Sequence, residues 1–457
     1  MITLDNFQYL VSAHNDSLAA MHNKRPSFFL RTYGCQMNSR DSEKLAAILL
    51  SLGYVAAKAQ DDASLILFNT CCVRESAEDK IWGNLGRLKN YKETKPDLII
   101  AVCGCMTQQE AVAAKFKSKL QHVNLVFGTG NRHRLAEFLW RVISTGQQVV
   151  DITEAEGLPE ITSEPTINRE YHHKAGVNIM YGCDNYCSYC IVPYVRGREK
   201  SRNAQDILQE VEALVEDGAK EIMLLGQNVN SYKPSFPSLL RQVAAIPGLQ
   251  RIRFMTSHPK DFSNELISTV ASLQNVCNFI HLPLQSGSTR ILEDMNRNYT
   301  KDDYLALVTR LHAAIPNVAI STDIIVGYPG ETEQDFEDTL DVVRQVRFSN
   351  AFTFKYSPRS GTPAAQRTDT VPEKVIANRF DKLVSTLSPI LLDINESKID
   401  TTICTMLEEI RPDGSAKGRA TDHTLIHFDT HAGSNPGDIL QVKITQAKTF
   451  YLIGEVV

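Results

Sequence analysis

Cys183-Asp184-Asn185-Tyr186-Cys187-Ser188-Tyr189-Cys190 is the stretch on which the reading of this chain turns. Three thiols spaced C-x-x-x-C-x-x-C on a short loop can converge on three corners of an iron–sulfur cube, because soft sulfur ligands suit iron. No fourth cysteine follows in the loop. Structural zinc sites close with four protein ligands, and bacterial ferredoxin runs supply four cysteines. A three-cysteine loop therefore leaves one iron open to a further ligand. The competing reading is a zinc loop that borrows a ligand from elsewhere.

Around this loop the sequence repeats a short apolar strand, a polar loop and an amphipathic helix. Strands are predicted at 177–180, 221–225, 251–254, 279–282, 318–326 and 351–356, with helices at 204–216, 265–273, 301–314 and 333–346. Six such units are too few to close an eight-stranded barrel, so an open six-unit partial (β/α) barrel is expected over 169–399. Parallel barrels carry their chemistry at the C-terminal strand ends, and the cysteine loop follows the first strand. The remaining strand ends are small and polar, as a zwitterionic nucleoside ligand would need. The candidates are Gly226, Gln227, Asn228 and Asn230, then Ser257, Gln285, Asp323 and Tyr356. An ordinary solvated loop is the alternative at each.

Upstream, strands predicted at 28–33, 65–68, 97–102 and 123–127 alternate with helical text such as 42–52. They indicate an open parallel α/β domain over 27–147. An extension of little pattern (1–26) precedes it, and a Glu-rich linker with Pro159 and Pro165 (148–168) follows. Ligands gather at the carboxyl ends of such strands. Cys35, Cys71 and Cys105 each follow a strand, so three thiols distant in sequence share one rim and could hold a second cluster. For each alone, a packed core thiol is the alternative, and Cys72 and Cys103 compete within their pairs. Cys277 and Cys404 read as core packing.

Past residue 399 the pattern becomes alternating strands at 402–409, 425–428, 440–445 and 451–456, with turns at Pro412-Asp413-Gly414 and Asn435-Pro436-Gly437. A small all-β, OB-like barrel over 400–457 is expected, an architecture that commonly holds nucleic acid. Lys417 and Arg419 there, with Arg196, Arg198 and Arg202 after the cysteine loop, are candidate phosphate contacts; solvated surface charge is the alternative.

The 457 residues exceed one core. A formal charge of -5 and a pI near 6.2 give no global positive field, so any nucleic acid must be held by local patches. No apolar run is long enough to span a bilayer, and residues 1–23 lack a signal-peptide pattern, which predicts a cytoplasmic protein. In that reducing setting ten cysteines read as ligands or buried thiols, not disulfides.

With these pieces located, the chain resembles the radical SAM methylthiotransferases, among them the MiaB type that modifies tRNA. The resemblance rests on Thr32-Tyr33-Gly34-Cys35-Gln36-Met37-Asn38, Asn69-Thr70-Cys71-Cys72-Val73-Arg74-Glu75, Gly104-Cys105-Met106, residues 182–202, Leu225-Gly226-Gln227-Asn228-Val229-Asn230-Ser231-Tyr232 and His281-Leu282-Pro283-Leu284-Gln285-Ser286-Gly287-Ser288. It implies an N-terminal methylthiotransferase domain, a radical SAM core and a C-terminal TRAM domain. It implies that Cys183, Cys187 and Cys190 bind a 4Fe-4S cluster whose open iron chelates S-adenosylmethionine (SAM), with Tyr189 as the aromatic residue the superfamily favours before the last cysteine. Cys35, Cys71 and Cys105 would bind an auxiliary 4Fe-4S cluster, Cys71 being chosen over Cys72 by register. The implied reaction uses two SAM to convert N6-isopentenyladenosine, next to the tRNA anticodon, to its 2-methylthio derivative. The implied partners are the anticodon stem-loop of tRNA, an electron donor such as flavodoxin or ferredoxin, and an iron–sulfur cluster carrier. The rival substrates are threonylcarbamoyladenosine in tRNA and an aspartate of a ribosomal protein. A rival of another class is a non-catalytic iron–sulfur tRNA-binding protein.

Overall fold

Apolar runs of three to eight residues, too short for helices and bounded by turn residues, become parallel strands in both halves of the chain. The computed structural model describes residues 4–72, 75–153, 169, 171–430 and 433–457, and for 75–77 the backbone alone. Two units are distinguished, 1–170 with 181–183 and 191–200, and 171–180 with 184–190 and 201–457.

The first unit is built on β1 (Ser27–Thr32), β2 (Val55–Ala56), β3 (Leu65–Thr70), β4 (Ile99–Gly104), β5 (Leu125–Phe127) and β6 (Val149–Asp151), all parallel in the order β2-β1-β3-β4-β5-β6. β3 is buried along its length because helices cover both faces. Leu65 and Leu67 pack with Leu45 and Leu49 of helix Gln36–Ser51 and with Leu139, while Ile66 and Phe68 pack with Ile81, Leu85 and Phe116. The N-terminal extension folds as a helix. Leu4–His22 is a helix whose Val11 is fully buried and whose Asn15 Nδ2 donates to Leu52 O at 2.8 Å. Its buried positions are too sparse to leave a period in the sequence. β6 lies within the stretch read as linker, and the rest of that linker, 154–168, is outside the described residues.

The second unit opens with β7 (Lys174–Asn178), β8 (Glu221–Leu225), β9 (Arg251–Phe254), β10 (Phe279–His281), β11 (Ala319–Val326) and β12 (Asn350–Lys355). They form parallel sheets β9-β8-β7 and β10-β11-β12 linked by an Ile252–Val276 bridge, so the six strands follow chain order around an open partial barrel, as expected. Side-chain caps at Asn203, Ser263, Thr300 and Thr332 start the surrounding helices, the last two through full capping boxes. A final helix, Glu373–Glu396, follows β12 and carries Pro389 within it.

The C-terminal barrel is closed by five strands, β13 (Thr402–Ile410), β14 (Ser415–Ala420), β15 (Leu425–Asp429), β16 (Ile439–Ala447) and β17 (Leu452–Val456), around Leu407, Ile426, Phe428, Val442 and Ile444. β14 escaped the sequence reading because its inward residues are Ala416, Gly418 and Ala420, which lack the bulk of a strand core. A Cβ at Gly418 would lie 2.5 Å from Met406 O, so this small face is what lets β13 and β14 approach. Cys277 is buried as expected, whereas Cys404 is exposed on β13 and does not pack in the barrel.

Two arginines of β9 tie this barrel to the partial barrel. Arg253 donates to Ala420 O (2.7 Å), Thr421 O (2.9 Å) and the Glu221 carboxylate (3.0 Å). Arg251 donates to Arg419 O (2.7 Å) and Cys404 O (3.1 Å). Arg253 and Glu221 are both buried, so removing one strands the other's charge. Arg253→Met is expected to destabilise the second unit by about 3–5 kcal/mol. Urea unfolding followed by far-UV circular dichroism checks it. The fluorescence transition should not move, because both tryptophans, Trp82 and Trp140, lie in the first unit.

Candidate metal centres

In the first unit the parallel register sets Thr32 beside Asn69 and Asn69 beside Cys103, which brings the ends of β1, β3 and β4 level. Cys35 caps helix Gln36–Ser51 just beyond β1, Cys71 follows β3 directly, and Cys105 follows β4 with its amide donating to Thr70 O at 3.0 Å. Asn38, fully buried one turn into the helix, joins the three loops. Its Nδ2 donates to Tyr33 O and Thr70 O, both at 2.9 Å, and its Oδ1 lies 4.0 Å from the sulfurs of Cys35 and Cys105. Gly34 (φ +129°) and Gly104 (φ +105°) permit the approach. A Cβ would come within 2.8 Å of Cys71 Cβ at the first and 2.3 Å of Thr70 O at the second.

The turn at Gly104 (φ +105°), which ends β4 and breaks its alternation, separates the competitors. Cys103 faces the core formed with Leu67 and Ala101, where burial raises its thiol far above the ordinary range, while Cys105 faces the opposite side. The Cys105 thiol is pulled below its usual value, first by a hydrogen bond from Cys72, then by the charge of Arg196, against the opposing effect of burial. Cys71 and Cys72 are both buried, Cys71 against Gly34 and Cys72 beside Cys105. Among the described residues no three Cys, His, Asp or Glu side chains converge as a single-ion site requires. Thiols on three separate loops suit a cube, each of whose irons takes one thiolate.

In the second unit the cysteine loop is pinned from below. Ser188 N donates to Met295 O at 3.1 Å, its hydroxyl bonds Asp294 O and Tyr328 Oη at 2.8 Å, and its carbonyl accepts from Ala364 N at 2.9 Å. Cys190 N donates to Cys187 O at 2.9 Å, closing the turn that spaces these two thiols. Cys183 belongs to the first unit, where its amide donates to Gly197 O at 3.2 Å. Buried Arg297 places Nη1 3.7 Å from Cys187 Sγ while Nη2 donates to Pro283 O at 2.8 Å. Tyr189 packs against Met295, Tyr328 and Ile291.

The strand ends divide by what their side chains already hold. Ser257 Oγ and His258 Nε2 beyond β9, and Tyr356 Oη beyond β12, are buried with no hydrogen-bond partner among the described residues. Such groups are uncommon in folded proteins, and a bound water or a polar ligand would satisfy them. His258 is kept neutral, chiefly by burial and then by Arg297 and Lys260. The Asn228 side chain, by contrast, bonds Asp261 Oδ2 (2.8 Å) and His258 N (3.2 Å), and Asn230 bonds His258 O and N (both 2.8 Å). These two amides tie the loops after β8 and β9 together. Gly226 is packed so closely that a Cβ would lie 2.6 Å from Met180 Cγ, and Gln227 is half-buried beside it. Gln285 sits at φ +67° with its backbone bonded to β11, and Asp323 lies 3.4 Å from His281 Nε2.

The basic candidates divide as well. Arg196 and Arg202 are not surface charges. Arg196 is buried in the first unit, and Arg202 is buried on Glu210 and Asn178 O, both at 2.6 Å, so neither side chain is free for a phosphate. Arg198 is exposed. Lys417 and Arg419 are part-exposed and paired with Glu409 (2.6 Å) and Glu408 (3.3 Å). Asn38, His258 and Arg297 were outside the candidate set. Only Asn38 left a signal, three residues after Cys35 in the first helical turn.

Residues 177–343 match the Radical SAM superfamily, 27–128 the uncharacterized protein family UPF0004, and 410–457 the TRAM domain. The tRNA-2-methylthio-N(6)-dimethylallyladenosine synthase of Acetivibrio thermocellus is 48% identical over 95% of this chain and 92% of its own. The synthase of the same name from Clostridium novyi is 48% identical over 96% and 97%. Among solved structures, the radical S-adenosylmethionine methyltransferase TsrM of Kitasatospora setae, with cobalamin and a [4Fe-4S] cluster bound, superimposes with a TM-score of 0.54 at 15% identity, covering 74% of each chain. At that identity the likeness concerns the fold.

Asn38→Ala is expected to weaken retention of iron at the Cys35, Cys71 and Cys105 site by about 10- to 100-fold, the usual effect of losing a group that orients ligands. Iron release to a chelator from anaerobically reconstituted protein checks it. Asn230→Ala, which touches only the His258 loop, should release iron at the unaltered rate.

Proposed function

The chain belongs to the radical SAM methylthiotransferases, the family of the tRNA-2-methylthio-N(6)-dimethylallyladenosine synthases, and on that premise we propose that it converts N6-isopentenyladenosine next to the tRNA anticodon to 2-methylthio-N6-isopentenyladenosine. The observation that carries the reading is the second set of cysteines on the rim of the first unit, gathered around Asn38. Generating a radical needs only the loop cysteines, whereas installing sulfur needs a sulfur source as well.

The C2–H bond of adenine is beyond any side-chain base at neutral pH, so a cofactor must break it. When bound, two 4Fe-4S clusters and two SAM supply the reducing electron, the hydrogen abstraction and the methylated sulfur. The protein's residues hold and orient these reactants. Cys183, Cys187 and Cys190 would hold one cluster through three thiolates, leaving it open to SAM. The unpartnered polar atoms of Ser257, His258 and Tyr356 complete the SAM site, with Gln227, Gln285 and Asp323 beside them. Because His258 is neutral, it can bond the cofactor without repelling the sulfonium. The Arg297 guanidinium offsets the negative charge that the loop cluster adds at Cys187. Cys35, Cys71 and Cys105 hold the auxiliary cluster.

The substrate base must leave the anticodon stack to be reached, and the closed barrel after residue 400 supplies RNA affinity. Arg198, Lys417 and Arg419 keep enough exposure to meet phosphates. The electron comes from a small donor of the flavodoxin or ferredoxin kind, and the clusters from an iron–sulfur carrier. The setting is cytoplasmic, and no helix among the described residues is long and apolar enough to cross a membrane.

In tRNA from a strain lacking this protein, nucleoside mass spectrometry should show 2-methylthio-N6-isopentenyladenosine gone and its unthiolated precursor accumulated. An unchanged profile, or loss of a threonylcarbamoyl derivative instead, defeats the assignment. In vitro, the Cys183→Ala, Cys187→Ala, Cys190→Ala triple variant is expected to form no 5′-deoxyadenosine from SAM and dithionite, while keeping about half of the wild-type iron.

A further inference from the structure

The first unit buries a charge imbalance beside its candidate cluster. Arg196 and Arg132 both pair with Asp41, and the three side chains are no more than 8% exposed. Among the described residues, two guanidiniums against one carboxylate leave a surplus positive charge, which is costly to bury unless another anion answers it. The remaining contacts of Arg196 point to that anion. Its Nε lies 3.2 Å from Cys105 Sγ, and its Nη2 donates to Asn38 Oδ1 at 2.8 Å, the same oxygen that lies 4.0 Å from the sulfurs of Cys35 and Cys105. The guanidinium fork thus spans a ligand sulfur, the amide that joins the loops, and the carboxylate that anchors the group.

We propose that Arg196 is a positioning residue for the auxiliary cluster, donating a charge-assisted N–H···S bond to Cys105 that raises the cluster's reduction potential and secures its retention. This rests on Cys35, Cys71 and Cys105 holding a cluster. A cation and a hydrogen bond at a ligand sulfur draw electron density from it, so the reduced form gains more than the oxidised form. Arg132 cannot substitute, because its recorded contact is with Asp41 and not with a ligand sulfur.

The test uses full-length Cys183→Ala, Cys187→Ala, Cys190→Ala protein, anaerobically reconstituted so that only the auxiliary cluster remains. Iron and sulfide are measured first, then the midpoint potential by EPR-monitored titration. Adding Arg196→Gln should favour the oxidised form about tenfold at a fixed poise, which is about 59 mV for a one-electron couple. Arg196→Lys should recover part of the shift, since it keeps the charge without the fork. An unchanged potential in an Arg196→Gln protein that holds its cluster overturns the proposal. If Arg196→Gln releases the cluster, thermal unfolding of the apo-proteins decides. An unaltered Tm with retention rescued by Arg196→Lys supports the proposal; a lowered Tm, or no rescue, makes the residue structural and overturns it. If the parent triple variant holds no cluster, the reading of the three cysteines fails first, visibly and before Arg196 is touched.

Discussion

The alignment of β1, β3 and β4 is the constraint on which the first site depends. A register slip of one residue would turn every side chain of a strand to the other face, sending Cys103 to the side now occupied by Cys105. What prevents it is the burial of β3 on both faces, since Leu65 and Leu67 fit one core and Ile66 and Phe68 the other. The sheet therefore delivers three loops to one level, but it does not orient their sulfurs. That falls to Asn38, whose single carboxamide reaches the carbonyls before two of the loops and lies near two of the thiols. The hydrophobic cores set position to within a strand spacing, and one buried amide sets the rest.

The loop in the second unit solves the same problem by a different route. Cys187 and Cys190 are neighbours in sequence, so spacing these two needs only a turn, supplied by the Cys190–Cys187 backbone bond and by the Asp294–Met295 carbonyls under Ser188. This difference explains what could be read without coordinates. A contiguous ligand set is legible as spacing. Cysteines spread over seventy residues can be related only through the rule that strand ends share a rim, which brings Cys35, Cys71 and Cys105 to one level but does not separate Cys71 from Cys72.

Charge was the least legible feature. Arg196, Arg198 and Arg202 stand within seven residues of one another, yet one is exposed and two are buried on carboxylates. Sequence displays the charge but not the anion that answers it, and for Arg196 that anion, Asp41, lies far upstream. The same limit applies to Asn228 and Asn230. Polar residues at a barrel mouth suggest ligand contacts, and sequence does not display the bonds theirs also make to His258 and Asp261. The informative side-chain atoms were those without a hydrogen-bond partner among the described residues, such as Ser257 Oγ and Tyr356 Oη, and that is invisible until packing is known.

β9 links the two tasks of the second unit. Its Arg251 and Arg253 anchor the C-terminal barrel through the backbone carbonyls of Arg419, Ala420 and Thr421, and just beyond its end stand Ser257 and His258. Carbonyl acceptors make the anchor depend on the backbone at 419–421 and not on the side chains there. Stacking of His423 on Phe279, with ring centroids 4.6 Å apart, and the Lys174–Glu408 pair at 2.8 Å hold the barrel against β10 and β7 as well. Three neighbouring regions of the partial barrel thus fix the barrel's place. A barrel so fixed fits a modification enzyme better than one on a free tether, because a base drawn from its stack must meet the cofactor at a set depth, and small misplacements of reacting atoms are costly.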